Sequence, residues 1–509
     1  MNKNTPLLTA LALGLLAQAG AAQTSRDPWL WPFASSSIWN TSIGSGAVYK
    51  AANITDAYSI STDDEILTKT YSWNPSRTLF EMGNWFDRDS GTVDTGKRIN
   101  LPDNFIVPDA YVRPDGSGHT PNNCSAFLRP DGKTLLHVAP LTRPTNGGNV
   151  WGFPGPPGFY KPEISLTGDG LGAGAHQSEL SAIGGSVRLG ELFSAQPIRH
   201  ALKINLWAKR YFYHDISESD GKAGFRWPAT GADFYAGFEG DYNGTNTSLQ
   251  HGTLLAIPPS VTQASLNLET APARKLFFAL QNYGAYVVDD TAWDSHALCV
   301  EDKAVAEFTT RQGYDYYSTW DNPTPFYRDV TKLYKALSIV DNNGPNSIGG
   351  GGTRRQADAP PINRVLNMGF EETGPNPNPL FWTKWSNTAS ETASYSEAGG
   401  RSGASHGTHW SANAYRVYTS QRLTGLSNGL YTARVWVRSS GGQITCQFQV
   451  EGYSSPSVAR VAAITAASGW TMREIRDINV QNGAATVGIW SDARAGNWVN
   501  FDDLEFYKQ

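Results

Sequence analysis

Cysteine is nearly absent from this chain of 509 residues, which has only Cys124, Cys299 and Cys446, widely separated. That is too few and too scattered for a disulfide framework or a cysteine-rich zinc site, which need several thiols at set spacing. Cys124 and Cys299 are the pair that oxidation outside the cytoplasm would join, since both lie in the larger, N-terminal part. Charge is also scarce, at 17% of residues with a net charge of −5. Such a balance argues against nucleic acid or an anionic membrane as partner, because both require a basic face. It still allows a local cationic cleft for an acidic polysaccharide. Beyond the first residues no apolar run reaches the roughly 20 residues that cross a bilayer, and residues 27–340 carry few amphipathic helical patterns.

What is abundant is glycine (51), proline (29), tryptophan (17) and tyrosine (22), the composition of a β-rich exported protein. Residues 1–22 read as a signal peptide: Lys3, an apolar stretch from Leu7 to Leu16, then the small residues Ala19 to Ala22. The expected setting is therefore secreted or periplasmic, with the mature chain a monomer. Residues 342–361 are rich in Gly, Pro, Asn and Asp and have no apolar period, so they read as a linker. They divide a large β-rich unit (23–341) from a module of β-sandwich size (362–509). Short alternating runs between turn clusters predict an all-β large unit, a sandwich or jelly roll. One or two helices, over Ala273–Tyr283 and Pro325–Leu337, are expected to pack on it.

The C-terminal module opens on Asn367-x-Gly369-Phe370-Glu371-Glu372 and closes on Asn500-Phe501-Asp502-Asp503-Leu504. These ends resemble those of the jelly-roll carbohydrate-binding modules attached to galactanases and xylanases. The resemblance implies polysaccharide binding and a structural calcium held by Glu371 with Asp502 or Asp503; hard oxygen ligands suit that ion. Sugar rings stack on flat aromatic faces, and Trp410, Tyr415, Trp470, Trp490 and Trp498 supply them, with Arg416 and Asp492 close in sequence. Tryptophan is usually largely buried, so about two of the five are expected on a binding face.

In the large unit, chemistry-bearing residues gather in five segments: the Asp115–His119 turn, the glycine-dense run from Gly168 to Glu191, Arg199–Lys203, Phe225–Tyr235 and Gln281–His296. Glycine at that density lets backbone approach a ligand closely. His119, His200, Trp227 to Ala229 and Tyr283 to Asp290 resemble a family of exported, mostly uncharacterised bacterial β-rich proteins. That likeness implies a site at these positions without naming a reaction. Gln177-Ser-Glu-Leu180 departs from the Arg-led motif of jelly-roll alginate lyases.

Three functions compete. Glycoside hydrolysis needs two carboxyl groups across the scissile bond; Glu179, Glu191 and Asp290 lead the candidates, joined by Asp233, Glu239 and Asp289, with His200 and His119 as acid–base partners. Elimination from a uronic-acid chain needs a base and a cation, available from His119, His200, Tyr283, Lys203 and Arg226. A non-catalytic tandem sugar binder would need neither. Arg226, Trp227 and Tyr283, with Trp410, Tyr415 and Trp490 in the module, are the expected substrate contacts. The signal, linker and binding module form the layout of a secreted degradative enzyme, so a hydrolase using a carboxylate pair, without a catalytic cofactor, is the leading expectation.

Overall fold

The computed structural model describes residues 25–509 apart from 109–110, 113–117, 120–121, 154–160, 215–223, 239, 388–389, 391 and 457, and excludes the side chains of 111–112 and 118–119. The leader, Glu239 and the His119 side chain thus lie outside the described residues. The chain is β-dominated, as its turn-punctuated alternation dictates.

The large unit is built on one eleven-stranded sheet. Its centre is β1 (Ser59–Lys69), β2 (Cys124–Leu128), β3 (Leu202–Leu206), β4 (Ala285–Asp290) and β5 (Ser295–Glu301), in the spatial order β4-β3-β5-β1-β2. Three neighbouring pairs, β3 with β4, β5 with β1 and β1 with β2, are parallel, and β3 runs antiparallel to β5. Alternation sends Leu202, Ile204 and Leu206 to one face. There they pack on α1 (Ala271–Asn282), α2 (Asp302–Gln312) and α3 (Pro325–Lys335) through Leu276, Phe277, Phe308, Phe326 and Leu333. Helices α1 and α3 match the two expected; Thr270 and Thr324 cap them by accepting from Ala273 and Tyr327 N–H. Helix α2 escaped the sequence because only Ala304 and Phe308 mark its buried side.

The opposite face is covered by irregular chain. Phe33, Trp39, Leu166, Leu180 and Ile183 lie over Cys124, Ala126, Ala201, Val288 and Cys299. Gly185 (φ 76°) is required in that cover: a Cβ there would stand 2.6 Å from the Trp39 ring and 2.7 Å from Lys203 Cγ. Cys124 and Cys299 are both free and buried. Cys299 faces Asp63 on one side of β1 and Cys124 faces Glu65 on the other. Two strand spacings, about 10 Å, separate them, which is beyond the reach of a disulfide.

The glycine-rich stretch 342–361 lacks long strands and helices, but it is docked rather than loose. Gly44 and Gly46 donate to Gly349 and Gly351 carbonyls, Arg354 reaches the Ser42 carbonyl at 3.0 Å, and Arg26 N–H donates to the Pro361 carbonyl at 2.9 Å. The C-terminal module is a sandwich of two five-stranded antiparallel sheets around Phe370, Val435, Val437, Phe448, Ile489 and Phe501. One sheet is ordered β6 (Thr383–Ser386), β7 (Tyr415–Thr424), β10 (Ala484–Ala493), β8 (Thr445–Glu451), β9 (Arg460–Ala463). Among the described residues no helix is long and apolar enough to cross a membrane.

Candidate functional sites

On the outer face of that sheet, register lines up one row across four strands: Trp385 on β6, Tyr418 on β7, Trp490 on β10 and Gln447 on β8. Trp385 is half exposed and stacks on Trp490, with ring centroids 5.4 Å apart at 24°. The next row toward the β6 end carries the Arg416–Asp492 pair at 2.6 Å; on the other side lie Ser420, Gly488 and Gln449. Gly488 leaves the floor beside Trp490 low, since a Cβ there would meet the Thr419 carbonyl at 2.3 Å. An aromatic strip flanked by amide, guanidinium and carboxylate groups is the surface a sugar chain requires. Trp490, Arg416 and Asp492 were legible; Trp385, Tyr418 and Gln447 were not singled out. Tyr415, a sequence candidate, is 2% exposed and donates to the carbonyls of His409 and Asn497, so it belongs to the core. Trp410 is exposed but faces Trp498 on the other sheet.

Glu371, Asp502 and Asp503 converge around Gly369 and the 401–405 turn. Glu371 accepts from Ala404 and Ser405 N–H, and Asp502 from Arg401 and Ser402 N–H. Burial, and then Asp503, pushes the Asp502 carboxyl up to about 8.

The large unit holds a buried polar cluster on the loop-covered face of its sheet. Inward positions of β1 supply Asp63 and Glu65, those of β3 supply Lys203 and Asn205, and β2 supplies Cys124. His176 descends from a tight turn in which Glu179 N–H donates to the His176 carbonyl and Ser178 N–H to the Val288 carbonyl. Glu179 itself (φ 64°) points away to pair with Lys161. Strict alternation would send Asp289 to the helical face with Val287. A bulge between β3 and β4, pairing Ile204 with Val287 but Asn205 with Asp289, turns it back to the loop side. There it lies 3.4 Å from His176 Nδ1.

Lys203 Nζ donates to Glu65 Oε1 (2.7 Å) and to the carbonyls of Ser181 (2.7 Å) and Ala182 (2.8 Å), which uses its three hydrogens. His176 Nε2 meets the same Glu65 oxygen at 2.8 Å. Burial alone would lower the His176 pKa; the Glu65 charge and the Asp289 and Glu65 hydrogen bonds outweigh it, raising it to about 9. Asp63 is pushed up to about 6 by burial, with the charges of Glu65 and Asp289 adding to it.

Beside this cluster, nearer the surface, stand Asp233, Tyr235, Tyr242, His251 and Asp290. Tyr242 donates to Asp233 at 2.6 Å, and Tyr235 to Asp290 at 2.9 Å. Burial, reinforced by Asp289, raises Asp233 well above the carboxylate range, while burial lowers His251 to about 4. Asp290 also accepts Ala208 N–H at 2.7 Å. Phe234 and Phe238 are exposed above, their rings 6.0 Å apart.

The sequence candidates therefore separate. Glu191 pairs with buried His200 through both carboxylate oxygens at 3.2 Å, and His200 Nδ1 donates to the Ala201 carbonyl. That pair precedes β3, whereas Asp290 faces Leu206 at its far end, about 20 Å along the strand. Arg226 is committed to the carbonyls of Ser248 and Asp341, Trp227 is partly buried against the loop-side core, and Tyr283 is buried where α1 ends. Asp63, Glu65 and His176 went unread, although acids at alternate positions in Ser59–Lys69 and the polar pair Lys203/Asn205 in an otherwise apolar strand are a signal that charge is buried.

No family model and no curated protein matches the chain. Among solved structures it is similar to TmCBM61 in complex with β-1,4-galactotriose, at 23% identity over 29% of this chain and 99% of that chain, TM-score 0.25. It is also similar to a family 16 carbohydrate-binding module, at 12% identity over 29% of this chain and 100% of that one, TM-score 0.23. A third likeness is to the CBM22-1 xylan-binding domain of Paenibacillus barcinonensis Xyn10C, at 14% identity over 28% and 93%, TM-score 0.21. Each likeness spans less than a third of this chain.

Proposed function

We propose that this is an exported polysaccharide-binding hydrolase: the C-terminal sandwich holds a glycan on the Trp385–Tyr418–Trp490–Gln447 row, and the large unit cleaves it at Asp233 and Asp290. The observation that carries the hydrolytic reading is the pair of carboxyl groups, Asp233 and Asp290, that share Tyr235 as a hydrogen-bonding neighbour. Asp233, held protonated by burial and by Asp289, is the general acid that delivers a proton to the leaving oxygen. Burial raises the Asp290 carboxyl too, but hydrogen bonds from Ala208 N–H and Tyr235 oppose that rise, so of the two carboxyls it is the one assigned as base or nucleophile. Phe234 and Phe238 offer apolar faces to a pyranose. Glu371 and Asp502, with Asp503 giving up its Arg401 pairing, would hold the calcium of the module, since a cation would offset the burial and the Asp503 charge that raise Asp502.

Elimination is the second reading, with Tyr242 and His251, 3.3 Å apart, as base. It is weaker because Arg226, the expected partner of a uronate, is engaged by main-chain carbonyls and Lys203 is sealed beneath the cover. The test is incubation with neutral and uronic polysaccharides, following reducing ends and the ultraviolet absorbance of an unsaturated uronate together. Reducing ends alone, lost in Asp233→Asn and Asp290→Asn, support hydrolysis; both signals rising favour elimination. Silence with retention in an affinity gel leaves a binding protein.

A further inference from the structure

The deepest part of the large unit gathers four donor atoms of metal-binding type from four separate segments. His176 Nδ1 lies 3.6 Å from Cys124 Sγ, 3.4 Å from Asp289 Oδ2 and 3.8 Å from Asp63 Oδ2. All four donors are buried and lie within 4.8 Å of one another. For a tetrahedral zinc with nitrogen and oxygen near 2.05 Å and sulfur near 2.3 Å, the edges are about 3.35 Å (N–O) and about 3.55 Å (N–S). The observed separations sit at or slightly above those edges, so an ion would draw the donors in by a few tenths of an ångström.

The surroundings are built as a ligating histidine requires. Glu65 Oε1, 2.8 Å from His176 Nε2, receives that N–H, which fixes the ring and leaves Nδ1 to face Cys124, Asp63 and Asp289. Lys203 lies 3.0 Å from Nε2, but its hydrogens are already placed on Glu65 and two carbonyls, so it does not compete for that nitrogen. Asn205 donates to Asp63 at 2.7 Å, and Gln177 N–H to Asp289 at 3.3 Å, orienting both carboxylates. Glu65 Oε2 is buried without a hydrogen-bond partner. Cys124 Sγ also lies 3.1 Å from the Ala175 carbonyl, a contact its S–H gives up when the thiol becomes a thiolate. The scarcity of cysteine excludes a cysteine-rich zinc module, not a centre with one thiolate.

We propose that Asp63, Cys124, His176 and Asp289 form a tetrahedral site for a divalent transition metal, zinc by its donor set. Binding requires the thiolate of Cys124 and an unprotonated Nδ1 on His176, so protons leave as the dication enters. The bulge in β4 is thereby given a purpose, because only the bulged register turns Asp289 to the ion. With no ligand position obviously open to solvent, its role is to hold the strands under Asp233 and Asp290 in place. This does not depend on the hydrolytic reading, since it is tested by metal content and spectrum.

The full mature chain, purified without chelator, is analysed by mass spectrometry for metals, then stripped and titrated with Co²⁺ and Zn²⁺. One equivalent of zinc is expected, with release of protons on binding and an affinity that falls as pH falls. The cobalt form should show the intense visible bands of a tetrahedral centre and a thiolate-to-cobalt band in the near ultraviolet. Cys124→Ser should abolish the thiolate band, and His176→Gln should weaken metal binding at least 10-fold. Should either variant fail to fold, the wild-type cobalt spectrum decides alone. Substoichiometric metal with no cobalt spectrum, or a cobalt spectrum without the thiolate band, overturns the assignment.

Discussion

Lys203 Nζ sits 2.7 Å from Glu65 Oε1 with neither side chain exposed, a salt bridge across β3 and β1 wholly inside the sheet's loop-covered face. Removing Lys203 leaves buried Glu65 with His176 as its remaining charged partner, so Lys203→Met should cost up to about 3–5 kcal/mol. Lys203→Met combined with Glu65→Gln should cost less than Lys203→Met alone, because neither partner is left charged. Denaturant midpoints of the three proteins check this; equal losses would mean that packing rather than charge carries the effect.

The two sandwich aromatics make a separable claim. Trp490→Ala should weaken glycan retention by about 2 kcal/mol, roughly 30-fold, the loss typical of a central aromatic anchor. Trp410→Ala, on the other sheet, should leave retention unchanged. Affinity electrophoresis across a panel of cell-wall glycans reads both; an equal loss in the two would move the binding face.

Reading the sequence located the elements better than the cluster. The β-rich character of the large unit and helices α1 and α3 followed from alternation and apolar period, which are local properties. The convergence of Asp63, His176 and Asp289 is set by strand order and by one bulge, and neither leaves a local mark. Glu191 and Asp290 both looked catalytic because each follows a strand or turn; only the parallel pairing of β3 and β4 shows that they belong to opposite ends. In the module, the row was half legible: Trp490 stood out, whereas Trp385 and Tyr418 required the register between β6, β7 and β10.

The Glu191–His200 pair gives the fold a pH dependence of defined sign. Burial opposes both charges, but each partner overcomes it: Glu191 is lowered and His200 raised. The raised histidine contributes fully below its unfolded value of about 6.5 and loses that contribution as pH rises through its folded pKa. The lowered glutamate contributes above about 4.5 and loses it as pH falls through its own. The stability difference between the parent and His200→Gln should therefore be largest between about pH 4.5 and 6.5 and shrink above neutrality. A difference flat from pH 5 to 9 would contradict the pairing.

Tyr235 donates to Asp290 at 2.9 Å, so under the proposed hydrolysis it should matter to rate more than to affinity. Tyr235→Phe is expected to lower kcat roughly 10²-fold with KM little changed. A change in KM alone would make it a sugar contact.

Calcium should raise the melting temperature of the parent, by an amount equivalent to about 2.7 kcal/mol at a hundred times its Kd. Glu371→Gln should remove most of that increment. An identical rise in parent and variant would place the ion elsewhere.

Arg26 N–H donates to the Pro361 carbonyl and Asn363 N–H to the Arg26 carbonyl, while Asn363 itself bonds Leu504 and Phe506 in the last strand. The start of the large unit, the connecting stretch and the end of the module are thus sewn along one seam, with Lys69 and Tyr71 joined to Glu372 beside it. A module on a flexible leash samples every distance its leash allows, and the chain ends it helps to cut are random. Under the proposed hydrolysis, a module stitched at its own terminus would work as a ruler: the sugar seated on Trp490 and the bond presented to Asp233 would lie a fixed number of residues apart on the glycan. Cutting governed in this way would release fragments of preferred length.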